Sequence, residues 1–160
     1  MVNRVISLFG WVMLSQRKRG DRILSDLLKG NSSYHAIEKN SLISHFPENI
    51  VLKWCDEKPN SNPILLAKII PLHETEPELH PLARKLLKKY PNNKELFATL
   101  SANWGSDSWV GPLSQHYEQK LKIAEQWLKY PELPVQAFAK QEISTLKREI
   151  EKYRRDEEEE

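Results

Sequence analysis

The sequence predicts an all-α protein of stacked antiparallel helix pairs, about seven to nine helices in all. Three observations point there. Apolar residues recur at spacings of three and four along most of the chain, and no stretch keeps a sustained alternation of apolar and polar side chains. The ten prolines fall almost wholly between the periodic segments, where they mark helix boundaries. No Asn-Gly or Asp-Gly pair between β-branched runs offers a hairpin, so little or no sheet is expected.

The first helix is expected over residues 3–15, carrying the apolar run Val5-Ile6-Ser7-Leu8-Phe9-Gly10-Trp11-Val12-Met13-Leu14. That run resembles a signal-peptide core, but it ends in Gln16-Arg17-Lys18-Arg19 without a small-residue cleavage site. About 10 apolar residues cannot span a bilayer that requires roughly 20. Residues 1–16 therefore read as a buried first helix, with a membrane-surface anchor or a partner-covered helix as the alternatives. A second helix over 20–28 aligns Ile23, Leu24, Leu27 and Leu28 and stops at Gly30. Asn31-Ser32-Ser33 caps a third over 34–41.

Pro47 opens a fourth helix in which Ile50, Val51 and Trp54 share a face while Glu48, Asn49 and Lys53 point outward. Pro59 and Asn60-Ser61-Asn62 end it. The apolar segment Ile64-Leu65-Leu66-Ala67-Lys68-Ile69-Ile70, bracketed by Pro63 and Pro71, reads as helix. Residues 76–90 form the next, with Leu79, Leu82, Ala83, Leu86 and Leu87 inward and Arg84, Lys85, Lys88 and Lys89 outward. Another follows Asn92-Asn93 and carries Leu96, Phe97 and Leu100.

Residues 103–113 read as a loop with two tryptophans, Trp104 and Trp109, and exposing both is unfavourable, so at least one is expected to plug a groove between helices. After Ser114 a helix holds Tyr117, Leu121, Ala124, Trp127 and Leu128 on one side, and Pro131 and Pro134 break it. The last helix starts near Leu133 and sets Val135, Ala139, Ile143, Leu146, Ile150 and Tyr153 in one seam. Residues 156–160, Asp followed by four Glu, oppose the helix dipole and are expected to form a frayed, disordered acidic tail.

The length suits one helical domain over 17–155, and 39% apolar against 29% charged residues fits a packed core. A net charge of +2 gives no global field for nucleic acid or anionic lipid. The single cysteine, Cys55, excludes an internal disulfide and fits a reducing, bacterial cytoplasm. Beside Trp54 on an apolar face it reads as an inert core thiol.

The chemistry-bearing groups are sparse. The run His73-Glu74-Thr75-Glu76-Pro77-Glu78-Leu79-His80 gathers two imidazoles and three carboxylates, yet it matches no zinc spacing, and acids before a helix answer to its dipole. Asp107, Ser114 and His116 lack a Gly-x-Ser-x-Gly elbow and serve more simply at turns and helix starts. No catalytic residue, metal or cofactor is expected. The basic runs Arg17-Lys18-Arg19-Arg22 and Arg84-Lys85-Lys88-Lys89 can meet phosphate if one surface gathers them, but each reads first as a solvated face.

Two segments share a plan: Pro77-Glu78-Leu79-His80-Pro81-Leu82-Ala83-Arg84 and Pro131-Glu132-Leu133-Pro134-Val135-Gln136-Ala137-Phe138-Ala139-Lys140. A small Ala early in each helix lets antiparallel neighbours approach, and each pair must cover its apolar face with the next. With Val51-Leu52-Lys53-Trp54-Cys55, Ser108-Trp109-Val110-Gly111-Pro112-Leu113-Ser114 and the closing Phe138-Ala139 helix, these segments resemble divergent HEAT-like repeats. The likeness is to the helical C-terminal regions of large bacterial NACHT-type NTPases, over about residues 20–155. It implies a scaffold or sensor surface, because the NTPase chemistry of such proteins lies in a separate domain, and this chain has no Gly-x-x-x-x-Gly-Lys-Ser/Thr loop. The chain would then be a stand-alone remnant of a larger protein.

The function expected is a non-enzymatic scaffold or interaction module binding another protein, with nucleic-acid binding through basic helix faces as the alternative. Trp104, Trp109, Arg84, Lys88 and Lys89 are the expected contact residues. Uncapped ends of a repeat array expose apolar surface, which makes a homo-oligomer a further expectation.

Overall fold

The computed structural model describes residue 43 and residues 46–73, 77–104 and 110–159. The expected helices over 3–15, 20–28 and 34–41, together with Trp109 and Asp107, lie outside the described residues. Those described are all-α: α1 (Glu48–Glu57), α2 (Asn62–Ala67), α3 (Pro81–Lys89), α4 (Lys94–Trp104), α5 (Leu113–Trp127) and α6 (Leu133–Glu158). One isolated antiparallel bridge, His73 with Leu79, is the sole β pairing among the described residues. The chain divides into two compact units, Met1–Ile70 and Pro71–Glu160, a division inside the span read from sequence as one domain.

In the first unit Pro47 stands just before α1 rather than within it, with ψ 129°. Val51, Trp54 and Cys55 are buried, while Asn49 and Lys53 face solvent as the 3.6-residue period dictates. Asn62 is buried too, and its Nδ2 donates to the Trp54 carbonyl at 2.7 Å, closing the turn between α1 and α2. Pro63 occupies the first turn of α2, where its missing N–H leaves no bond unmade. The apolar segment stays helical only to Ala67, then tightens into a turn through Ile70.

The second unit is built on the antiparallel hairpin of α5 and α6, with α3 packed on α6 and on α4. Helix α3 begins at Pro81, five residues later than the periodicity suggested, because two local effects compete with it. A residue preceding proline is pushed out of the α region, and His80 has ψ 133°. Leu79 meanwhile pairs with His73, and His80 N–H donates to the Leu72 carbonyl at 2.9 Å. The His80 ring then caps α3, its Nδ1 accepting from Leu82 N–H at 3.3 Å. Asn93 does the same for α4, its Oδ1 accepting from Leu96 N–H at 2.9 Å.

The core of this unit is aromatic. Phe97 meets Phe138 edge to face at 5.6 Å, Phe138 lies 6.1 Å from Trp127, and Trp127 lies 4.7 Å from Trp104. Trp104 is the final residue of α4 rather than a loop residue, and at 3% exposure it fills the groove the sequence required a tryptophan to fill.

Helix α6 continues to Glu158, through the acidic run expected to be disordered. The physical reason is a tether. The Glu157 carboxylate accepts from Ser114 N–H at 3.0 Å and from Ser114 Oγ at 2.6 Å, so an acid at the C-terminal end of α6 serves the electropositive start of α5. Those bonds hold the Glu157 carboxyl below its ordinary value. Arg154 adds an ion pair to Glu118 at 2.6 Å.

Candidate interaction face

The two Pro-Glu-Leu openings that resemble each other in sequence meet in space. Trp127 Nε1 donates to the Pro77 carbonyl at 2.6 Å, and Leu79 N–H donates to the Tyr130 hydroxyl at 3.2 Å. Arg84 reaches from α3 to Glu132, its Nη2 and Nε donating to one carboxylate oxygen at 2.7 and 3.1 Å. Its guanidinium also lies 4.5 Å from the centroid of the Tyr130 ring. A planar cation stacked on a phenol and bonded twice to a carboxylate has lost most of its freedom. The Arg84 bond is the main reason the Glu132 carboxyl titrates below its ordinary value, and the nearby Lys88 charge contributes in the same direction.

This arrangement sets the geometry of a surface. Leu133, next to the pinned Glu132, is 77% exposed, and Lys88 and Lys89 are exposed at the end of α3. The Lys88 charge acts on the Glu132 carboxylate that precedes Leu133, so an ammonium and an exposed apolar side chain lie on neighbouring parts of one surface. At the opposite end of the hairpin Val110 is 96% exposed and Leu113 partly so.

Of the expected contact residues, Lys88 and Lys89 reach solvent, Arg84 is half-buried in its ion pair, and Trp104 lies in the core. Of these four only Lys88 and Lys89 are exposed, and Trp104 cannot reach a solvent-facing surface. In the sequence Leu133 marks the start of a helix and does not stand out as a contact residue. The signal that could have found it is its place just before Pro134, at a helix opening whose inward seam begins at Val135.

Sequence reading also missed a buried polar set. Lys120 is 5% exposed, and its Nζ donates to the carbonyl of Trp104, the last residue of α4, while lying 5.5 Å from the Trp104 ring centroid. A cation there satisfies an orphan carbonyl at the negative end of the helix dipole. Glu142 is 6% exposed and its Oε1 accepts from Ser101 Oγ at 2.5 Å. Burial pushes the Glu142 carboxyl upward, with the Ser101 bond opposing. Both residues sit in register with apolar neighbours, Lys120 with Ala124 and Trp127, Glu142 with Phe138 and Leu146, so the helical period alone could have flagged them.

The other chemistry-bearing candidates are engaged structurally. Ser114 bonds Glu157, the His116 ring packs 5.7 Å from Tyr117, and Cys55 is buried. No group of three or more potential metal ligands gathers among the described residues, and none of their helices is long and apolar enough to cross a membrane. Comparison with protein families, with curated proteins and with solved structures gives no match, so the likeness to HEAT-like repeats rests on the residues quoted for it.

Proposed function

We propose that this protein is a non-enzymatic helical-repeat module that binds another protein, in a bacterial cytoplasm, through the face formed by Leu133, Lys88 and Lys89. The observation that carries the reading is the 77% exposed Leu133 next to Glu132, which Arg84 pins and on which the Lys88 charge acts. A single exposed leucine is ordinary on a protein surface; what supports a docking role is its place next to the fixed Arg84–Glu132 pair. The HEAT-like stacking belongs to the same reading, and what supports it is the sequence of short helices, proline-containing turns and two similar openings that bond to one another.

The test is affinity capture from a native-host extract with the wild-type chain, Leu133→Asp and Lys88→Glu, read by mass spectrometry with far-ultraviolet circular dichroism as the folding control. Capture of the same protein by the wild-type chain, lost in both variants at unchanged helicity, is the expected result. Equal capture by all three chains overturns the reading. The alternative of nucleic-acid binding draws on the exposed Lys85, Lys88 and Lys89, and a mobility shift that weakens steeply with salt would favour it.

A further inference from the structure

Helix α4 packs on α3 and reaches α6 through side chains. Phe97 meets Phe138 there, and four residues further along each helix Ser101 meets Glu142. The polar contact is short of hydrogens. Ser101 Oγ lies 3.0 Å from the Phe97 carbonyl oxygen and 2.5 Å from Glu142 Oε1. Three oxygens in a row need two hydrogens to bond across both gaps, and a serine hydroxyl owns one. A carboxylate has none to add, whereas a carboxylic acid supplies the second. An ionised Glu142 takes the Ser101 hydrogen away from Phe97 and leaves a charge in the core, where burial disfavours it.

No opposite charge among the described residues offsets that anion. On α4 the charged groups are Lys94 and Glu95, both exposed at its start. On α3, Lys85, Lys88 and Lys89 are exposed and Arg84 is held by Glu132; on α5, Lys120 bonds the Trp104 carbonyl, Glu118 pairs with Arg154, and Lys122 and Glu125 are exposed. Along α6 itself Lys140 and Lys147 are exposed. Burial and the Ser101 bond are what act on the Glu142 carboxyl.

We propose that Glu142 is a proton-held latch between α6 and α4: as a neutral acid it donates to Ser101, Ser101 donates to the Phe97 carbonyl, and loss of the carboxyl proton to water loosens α4 from α6. The sign follows from burial. A carboxyl that binds its proton more readily in the folded chain holds the latch closed in acid and opens it as pH rises through the folded-state value. Opening is local, because α4 keeps its packing on α3.

Hydrogen exchange of the full chain tests it, read by mass spectrometry over residues 97–104 across a pH series, each rate divided by the intrinsic rate at that pH. Protection in the wild-type chain should hold through the ordinary carboxylate range and then fall by about tenfold, the scale on which the ionisation of a buried carboxyl acts on its surroundings. Glu142→Gln stays neutral at every pH and keeps a donor for Ser101, so it should hold the acid-side protection throughout. Ser101→Ala breaks the relay and should lower protection in acid as well. Helix α5 serves as the control for a global change, and its protection should stay level. Infrared spectra just above the ordinary carboxylate range should show the carbonyl band of a protonated carboxyl in the wild-type chain and lack it in Glu142→Gln. The inference is overturned by a missing band, by wild-type protection without a step, by a step that survives in Glu142→Gln or appears equally in α5, or by acid-side protection that Ser101→Ala leaves untouched. The wild-type step and its α5 control need no substitution, so poor folding of a variant does not shield the inference.

Discussion

Glu142 is where a single side chain works against its surroundings. A carboxyl whose folded-state value lies above its unfolded one binds protons more readily in the native state. Its contribution is therefore intact in acid, below the unfolded value, and is lost as pH rises through the folded value. Glu142→Gln keeps an acceptor for Ser101 and removes the buried charge. It should raise the thermal midpoint by a few degrees at neutral pH, on the order of 1 kcal/mol, and leave it unchanged in acid; a gain that persists at low pH would disprove the burial account. Glu132 has the opposite sign. Its carboxyl is held low by Arg84, so the pair stabilises the fold above the ordinary carboxylate range and fades as pH falls through the lowered value. Arg84→Ala should lower stability by about 1 kcal/mol near neutrality, with the difference from wild type shrinking in acid denaturation curves.

At the scale of elements, the α5–α6 hairpin is fastened at both ends by contacts of different kinds. At the turn end, Trp127 fills the core and donates to Pro77, which ties α5 to the segment leading into α3. Trp127→Ala removes a fully buried ring and should destabilise by about 3–5 kcal/mol, enough to unfold a marginal domain. Trp127→Phe keeps most of the packing, leaves the Pro77 carbonyl without its donor, and should lose about 1–3 kcal/mol, so chemical denaturation of the two variants separates packing from the hydrogen bond. At the open end, Glu157 satisfies the first turn of α5. Glu157→Ala should leave the aromatic core intact while hydrogen exchange quickens in the last turn of α6 and the first turn of α5. Unchanged exchange there would show that packing alone carries the acidic run in helix.

Across the whole molecule, 24 basic and 22 acidic residues nearly balance, and the two signs are interspersed along α6, where Lys147, Arg148, Lys152, Arg154 and Arg155 stand among Glu149, Glu151 and the run from Asp156 to Glu159. Overall charge sets solubility and non-specific attraction, whereas local separation sets orientation between partners. A duplex DNA should consequently show no retarded band with this protein even at low salt. A retarded band lost on Lys85→Glu, Lys88→Glu and Lys89→Glu together would move the assignment to nucleic-acid binding.

Sequence alone determined the fold class and most inward faces, because helical periodicity and proline positions act through the backbone over a few residues. Val51 with Trp54, Leu82 with Leu86 and Val135 with Ala139 all lie where the period put them. It erred where distant groups decide: the start of α3 yields to a bridge between His73 and Leu79, Trp104 belongs to a helix rather than a loop, and the acidic run stays helical to Glu158, with Glu157 bonded to Ser114 across the hairpin. Only the tertiary structure could turn Arg84 from a contact residue into the brace that holds Glu132 beside Leu133, and bury Lys120 on the carbonyl of Trp104. Local pattern says which side of a helix is apolar, but which polar group meets which is fixed by the approach of segments far apart in the chain.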